Sequence, residues 1–389
     1  MGKGNKKQIR ILHVVGGMNR GGVETWLMHV LRNIDRDRFH MDFLVHTTEP
    51  CAYDDEIREL GSRVISCMHP SNPLTYTRNF KRILGEFGPY DIIHSHVHYF
   101  SGYTLRLACQ VGVPVRIAHS HNDTSLLQEE AEFLRRSYID LAKRWISRYA
   151  TCGLAASNKA ASDLFGEGWV ADKRWQVLYC AIDLSSFSVD IDSTAIRREL
   201  GIPKDALVVG HVGRFAEQKN HNFLIDIVTE IAEREPRIHL LLIGDGPLRP
   251  VIEQKVAKMG LADRVLFAGS RHDVPKLMLG AIDIFVMPSL YEGLGLVLVE
   301  AQAAGIPCIF SDCVPGEADI INPLIRRLSL SQPASVWADV ILDMLRDMGS
   351  VRDASYRHDC FTAIEASPFN IQTGIKLLEA FYEGGFENA

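Results

Sequence analysis

Short apolar runs alternate along the chain with longer stretches whose apolar positions recur every three or four residues. In the first half, Arg10–Val15, Met41–His46, Asp91–His94, Pro114–His119 and Gly153–Ala156 read as strands, and Val23–Arg32, Thr75–Phe87 and Ala131–Tyr149 carry helical spacing. In the second half, strands are predicted at Leu207–Val212, His239–Ile243, Arg264–Phe267, Asp283–Met287 and Pro307–Phe310. Helices are predicted there at Phe223–Arg234, Leu248–Met259, Val274–Leu279 and Leu296–Ala304. Near-continuous apolar strands separated by helices predict an α/β chain whose parallel sheets are covered on both faces. Such sheets bind ligands beyond the carboxyl ends of their strands.

The alternation breaks once, at the polar stretch DLSSFSVDIDSTAIRREL from Asp183 to Leu200, after which a fresh strand–loop–helix sequence begins. A linker near Ser185–Ser193 gives a first domain over residues 1–187 and a second over 188–368, followed by a helical tail over 369–389 with an amphipathic pattern at Ile371–Tyr382. The length of 389 residues suits two domains, and 47% hydrophobic with 23% charged residues is ordinary for a soluble globular protein. A net charge of −6 argues against a general nucleic-acid binder. The eight cysteines are scattered without paired metal spacing, which fits reduced, buried thiols in a cytoplasmic protein. The start, MGKGNKKQIR, is basic and short; it reads as a disordered lead-in or a weak contact for anionic lipid, not a signal peptide. No run is long enough to span a bilayer.

The chemistry concentrates at Pro288–Glu300. Glu292 precedes Gly293-Leu294-Gly295-Leu296, Glu300 lies about a turn inside the helix that follows, and Gly305 with Pro307 stops that helix. The free N–H groups and positive dipole end of such a helix suit an anion such as a diphosphate. One carboxylate can then grip a sugar at one end of the diphosphate and the other a ribose at the opposite end. Gly213-Arg214 ends a predicted strand, and Lys219 opens the next helix five residues later. A planar fork and a movable point charge on one loop make a diphosphate clamp. Gly244-Asp245-Gly246 ends the next strand; its glycines allow close backbone approach to a ligand, and Asp245 either caps the helix after Pro247 or touches ligand. In the first domain, Gly21-Gly22 precedes a helix but does not form a dinucleotide fingerprint.

Histidines cluster at His94, His96 and His98 and at His119 and His121, an arrangement that invites a zinc reading. With each cluster straddling a strand end, alternate residues are expected to face opposite ways, and no carboxylate is interleaved. No metal is therefore expected.

Glu-x7-Glu, set in PSLYEGLGLVLVEAQAAGIPCIFSD, resembles the signature of the retaining family-4 glycosyltransferases. That resemblance implies the GT-B fold: two Rossmann-like domains facing across a deep cleft, a last helix that crosses back to the first domain, and closure that excludes water. The Gly213–Lys219 loop is similar to the family's G-R-x4-K loop, which implies that Arg214 and Lys219 hold the donor diphosphate and steady the departing nucleotide. By the same resemblance Glu292 holds sugar hydroxyls, Glu300 binds ribose, and Gly244–Gly246 and Gly293–Leu296 line the donor pocket. Ser270–Asp273 is where the base would rest, Gly21-Gly22 lets donor and acceptor approach the backbone, and His119 positions the sugar. His121 and Asn122 are implied as supporting or acceptor contacts, with Asp91, His94 and His96 bracing the floor.

The implied reaction is a front-side displacement in which the leaving diphosphate takes the acceptor proton. No metal or other cofactor is required, since no Asp-x-Asp triad flanks the phosphate loop. Wording such as GGMNRGGVETWLM is similar to members that build bacterial capsule or exopolysaccharide. It implies a hexosyltransferase with a UDP-sugar donor and a glycan or polyprenyl-linked acceptor, placed peripherally at the inner membrane face. Cys180-Ala181-Ile182-Asp183 departs from the family's Asn-Gly turn, so a stiffer hinge is expected there. A GT-B UDP-sugar 2-epimerase and a catalytically silent sugar-nucleotide binder are the alternatives.

Overall fold

A computed structural model describes residues 8–68, 70–125, 133–348 and 354–384. The basic run ahead of residue 8 and the first two residues of the expected Ala131–Tyr149 helix lie outside them. The chain divides into two compact units, one of residues 1–181 with 371–389, the other of residues 182–370.

The first unit holds seven strands: β1 (Ile9–Val15), β2 (Phe39–Val45), β3 (Val64–Ser66), β4 (Ile92–Ser95), β5 (Val115–Ser120), β6 (Cys152–Ala155) and β7 (Trp175–Val177). They form one sheet in the order β3-β2-β1-β4-β5-β6-β7, with every pairing parallel. The second unit holds β8 (Leu207–Val212), β9 (Ile238–Ile243), β10 (Val265–Gly269), β11 (Ile284–Met287), β12 (Cys308–Ser311) and β13 (Ile325–Leu328). Its order is β10-β9-β8-β11-β12-β13, again parallel throughout. In both sheets the strand order reverses beside the first strand of the unit. The β1/β4 boundary and the β8/β11 boundary are thus topological switch points, where an open α/β sheet leaves a crevice for ligand.

These strands form because their residues are apolar on both faces and helices cover both. In the first unit Leu12, Val14, Leu44, Tyr76, Phe80, Ile93 and Leu105 share one core. In the second, Leu240, Leu242, Ile225, Val228, Ile284 and Trp337 do. The Ile371–Tyr382 helix belongs to the first unit. Its Ile371 and Ile375 pack on Ala181, Tyr382 meets Phe39 with ring centroids 5.9 Å apart, and Glu379 pairs with Arg38 at 3.1 Å. Ala181 is buried against this helix, where its methyl lies beside Gly374. Among the described residues only His98 and Asn220 combine a side chain with positive φ, so Ala181 carries no turn strain in place of the usual Asn-Gly. Its methyl fills space under the last helix instead.

Candidate active site

The β8/β11 switch point of the second unit gathers the acidic and basic residues singled out in its sequence. The loop after β8 carries Gly213 and Arg214, then a short 3-10 turn, Glu217–Lys219. Asn220, at φ +51°, turns the chain into the His221–Ala232 helix. The loop after β11 carries Glu292 and ends at Gly295, whose φ of +84° opens the Leu296–Ala303 helix. That left-handed value is the reason for glycine at 295.

The two loops are tied by side chains. Lys219 Nζ lies 2.6 Å from Glu292 Oε1, and both groups are largely withdrawn from solvent. Gln218 donates from Nε2 to the Tyr291 carbonyl at 3.0 Å and to Glu292 Oε2 at 3.4 Å, while its own carbonyl accepts from Leu290 N at 2.8 Å. His211 sits buried below, with Nδ1 2.8 Å from the Val286 carbonyl and Nε2 without a partner among the described residues. Burial pushes the His211 imidazolium well below its usual range, so the ring is neutral beneath the ion pair. Arg214 is exposed and makes no side-chain hydrogen bond or ion pair to any described residue.

Gly244 and Gly246 explain themselves by packing. A Cβ at Gly244 would collide with the Gly213 carbonyl, and one at Gly246 with the Phe215 backbone. The loops are laminated by hydrogen bonds from Gly213 N to Ile243 O and from Phe215 N to Asp245 O, at 2.9 and 3.0 Å. Asp245 does not cap the following helix. That helix, Arg249–Lys258, begins after Leu248 with no side-chain cap; the Asp245 carboxylate instead accepts from Gly246 N at 2.7 Å and faces Arg249 at 3.5 Å. The tight turn at Gly246 bends the carboxylate back onto its own loop.

The Leu296–Ala303 helix has no acidic residue in its first turn and no side-chain cap, so no carboxylate of its own neutralises its N-terminal amides. Gly293, Leu294 and Gly295 are buried ahead of it, and Leu296 is half-buried. Glu300 follows one turn in, half-buried, with no side-chain hydrogen bond to a described residue. Burial pushes its carboxyl up to about 7. The Ser270–Asp273 loop is occupied by ion pairs of Arg271 with Asp273 at 2.8 Å and Glu199 at 3.0 Å.

In the first unit, the loop after β1 leads through extended Gly21 into the Gly22–Asn33 helix. A Cβ at Gly22 would meet nothing within 4 Å, so tight packing is not why glycine stands there. Glu24, in the first turn, folds its carboxylate over Gly21.

The histidines depart from expectation. Side chains two apart on a strand share a face, so His94 with His96, and His119 with His121, point the same way rather than opposite ways. Their ring centroids are 4.2 and 4.0 Å apart. Register adds His13, paired with His94 across β1 and β4. The nitrogens pair among themselves: His13 Nδ1 with His96 Nε2 at 2.9 Å, His96 Nδ1 with His121 Nε2 at 2.8 Å, and His94 Nε2 with His119 Nδ1 at 3.1 Å. Cys180 Sγ lies 3.5 Å from His121 Nδ1. Two trios, His13–His94–His96 and His96–His119–His121, hold ring nitrogens within 4.8 Å of one another. Trp26 closes the group edge-on to His119 at 5.2 Å. Burial holds His13 and His121 down to about 3 and the other three well below their usual value, so all five rings are neutral. His119 Nε2 is buried without a partner among the described residues, whereas Asn122 beyond it is exposed. His13, Trp26, His211 and Gln218 escaped the sequence reading; period two and strand register would have exposed His13, whereas the others depend on tertiary placement.

Comparisons with known proteins identify the family. A family model described as "Glycosyl transferase 4-like domain" matches residues 21–181, and one described as "Glycosyl transferases group 1" matches residues 192–359. The chain is 41% identical over 340 residues to the putative glycosyltransferase EpsF of Bacillus subtilis, covering 87% of this chain and 88% of that one. It is 26% identical to the UDP-Gal:alpha-D-GlcNAc-diphosphoundecaprenol alpha-1,3-galactosyltransferase of Escherichia coli, over 80% and 81% of the two chains. Among solved structures, Anabaena HepE in complex with UDP and glucose superposes with a TM-score of 0.80 at 20% identity, covering 97% of this chain and all of that one. A sucrose-phosphate synthase from Thermosynechococcus elongatus gives 0.79 at 22% identity, covering 98% and 100% of the two chains. The two parallel-sheet domains are therefore those of the GT-B fold, and the chain belongs to the group-1, family-4-type glycosyltransferases.

Proposed function

We propose that this glycosyltransferase moves a sugar from a UDP-sugar to a hydroxyl of a glycan or polyprenyl-linked acceptor, with retention, in exopolysaccharide or capsule synthesis. The observation that carries the donor reading is the β8/β11 switch point. Arg214, a cation without an ion-pair partner among the described residues, stands on the same sheet edge as a helix N-terminus free of acid, with the Lys219–Glu292 pair between the loops. The diphosphate binds Arg214, Lys219 and the amides that follow Gly295, and the ribose binds Glu300. Support for UDP and a lipid-linked acceptor comes from the names of the Escherichia coli relative and the HepE complex. The epimerase alternative gains nothing from these relatives, which are glycosyltransferases.

Chemically, the C1–oxygen bond to the β-phosphate breaks as the acceptor oxygen bonds C1 on the same face, and the acceptor proton passes to the departing phosphate. No two carboxylates arranged as acid and nucleophile are needed. Arg214 and Lys219 neutralise charge on the leaving group, where preorganised donors act most strongly. Glu292, oriented by Lys219 and Gln218, holds sugar hydroxyls and steadies positive charge on the ring. His119 hydrogen-bonds the sugar ligand. No metal is assigned a step.

A lipid-linked acceptor requires the enzyme at a membrane surface. No helix of the described residues is long and apolar enough to cross one. The Phe133–Tyr149 helix offers a peripheral contact instead: Phe133 and Leu134 are 81% and 78% exposed, Tyr138 and Leu141 also face solvent, and Arg135, Arg136, Arg144 and Arg148 stand among them. Apolar side chains with arginines suit an anionic interface.

Arg214→Ala and Lys219→Ala should each lower kcat/KM with UDP-sugars by about 100-fold or more while the fold, read by circular dichroism, persists. The wild-type product should keep the donor's anomeric configuration by NMR. Near-normal turnover in both variants, or an inverted product, refutes the mechanism.

For Glu300, a folded pKa of about 7 against the ordinary 4.5 means the native state holds a proton that the unfolded chain releases. Stability is therefore lost as pH rises through that window. Glu300→Gln should leave the melting temperature unchanged near pH 4.5 and raise it relative to wild type at pH 8. A difference independent of pH would show that the carboxyl is not desolvated.

Finally, the protein should float with vesicles containing phosphatidylglycerol and not with pure phosphatidylcholine, and Phe133→Ser with Leu134→Ser should abolish flotation. Equal behaviour of wild type and variant would remove this helix from membrane contact.

A further inference from the structure

We infer that the C-terminal helix sets the tautomer of His119: Tyr382 donates its hydroxyl proton to His94 Nδ1, His94 donates Nε2–H to His119 Nδ1, and His119 therefore presents Nε2–H as a fixed donor. The chain of contacts is short and buried. Tyr382 Oη lies 2.8 Å from His94 Nδ1, and His94 Nε2 lies 3.1 Å from His119 Nδ1. His94 and His119 are fully buried and Tyr382 is 4% exposed.

The direction follows from counting protons. A neutral imidazole has one donor and one acceptor nitrogen. The Tyr382 hydroxyl has His94 Nδ1 as its hydrogen-bond partner among the described residues. Either direction leaves one buried proton over: the phenol proton if His94 Nδ1 donates, at the cost of an unmade hydrogen bond under the last helix, or His119 Nε2–H if the phenol donates, which a bound sugar oxygen can accept. With the phenol donating, His94 must carry its proton on Nε2. His119 Nδ1 must then accept, and the remaining proton of neutral His119 sits on Nε2. That nitrogen is buried and has no partner among the described residues. The surroundings enforce neutrality: His13, His96 and His121 crowd the pair, with Trp26 edge-on to His119. Burial independently disfavours every imidazolium in the group and holds the Tyr382 phenol well above its usual pKa, so the phenol stays a proton donor.

Tyr382 and His94 are thus positioning residues acting through His119. A donor Nε2–H can hold a sugar oxygen but cannot take the proton of an acceptor hydroxyl. It removes His119 as the base, which is compatible with the proposed transfer of the acceptor proton to the departing phosphate. The inference rests on the reading of His119 as a sugar contact, and the test separates the two.

In protein labelled with 15N-histidine, long-range proton–nitrogen correlation spectra should show His94 and His119 both as Nε2–H tautomers. Tyr382→Phe keeps the ring against Phe39 but removes the proton donor. It should shift the nitrogen resonances of His94 and His119 toward mixed tautomers and lower kcat about 10-fold or more, the scale seen when outer hydrogen bonds that orient a metal-ligating imidazole are removed. KM for the donor nucleotide should hardly change. A wild-type His119 protonated on Nδ1 overturns the inference, as does a stoichiometric metal ion on the purified protein that shifts these nitrogens. Unchanged tautomers in Tyr382→Phe also overturn it. If Tyr382→Phe does not fold, the wild-type tautomer decides alone. If the tautomers are as stated and His119→Ala still turns over normally, the tautomer assignment stands and the sugar-contact reading fails.

Discussion

The arrangement of the loops at the β8/β11 switch point depends on one ion pair. Lys219 and Glu292 face each other at 2.6 Å with little solvent access to either. Taking two charges out of water costs several kcal/mol per ion, which is recovered only when geometry is tight and the remaining lone pairs are satisfied. Gln218 satisfies one of them, and the backbone bond from Leu290 N to Gln218 O holds the loops in register. The Gly213–Phe215 segment cannot move alone, because Gly244 and Gly246 are packed against it with no room for a methyl group. The pair therefore fixes two loops from opposite sides of a switch point, leaving Arg214 exposed and the Leu296–Ala303 helix end open.

The first unit meets a related constraint with neutral groups. Five histidines around the ends of β1, β4 and β5 would repel one another as imidazolium ions, and burial keeps them uncharged. Once neutral, each ring has one proton to give and one lone pair to fill. The result is two hydrogen-bonded chains, one ending at Cys180 and the other at Tyr382. In both units the polar side chains are held in place by neighbours on adjoining strands and loops.

Much of the scaffold was legible. Continuous apolar runs named the buried strands because parallel sheets bury both faces, and Gly295 with Gly305 and Pro307 bounded the Leu296–Ala303 helix because turns and breakers act locally. The linker was placed late: the units part between Ala181 and Ile182, where Ala181 packs under the last helix. The motif residues around the β8 and β11 loops were legible as a group, but the pairing of Lys219 with Glu292 rather than Lys219 with Arg214 was not, since it depends on how two loops meet. The facing of the histidines was misjudged, although period two alone places His94 beside His96. The reading of Asp245 as a cap failed, since the choice between its own loop and the next helix is set by the backbone bend at Gly246. Tyr382 left no local signal, being 288 positions from His94.

The central claim is that the Lys219–Glu292 pair holds a diphosphate site between Arg214 and the helix that starts after Gly295. A crystal structure of the protein with UDP tests it most directly. It should show the diphosphate oxygens hydrogen-bonded to Arg214 and to the amides at Leu296 and Val297, with the ribose hydroxyls on Glu300. A diphosphate bound away from Arg214 and that helix, with Lys219 and Glu292 still paired and unengaged, would contradict it.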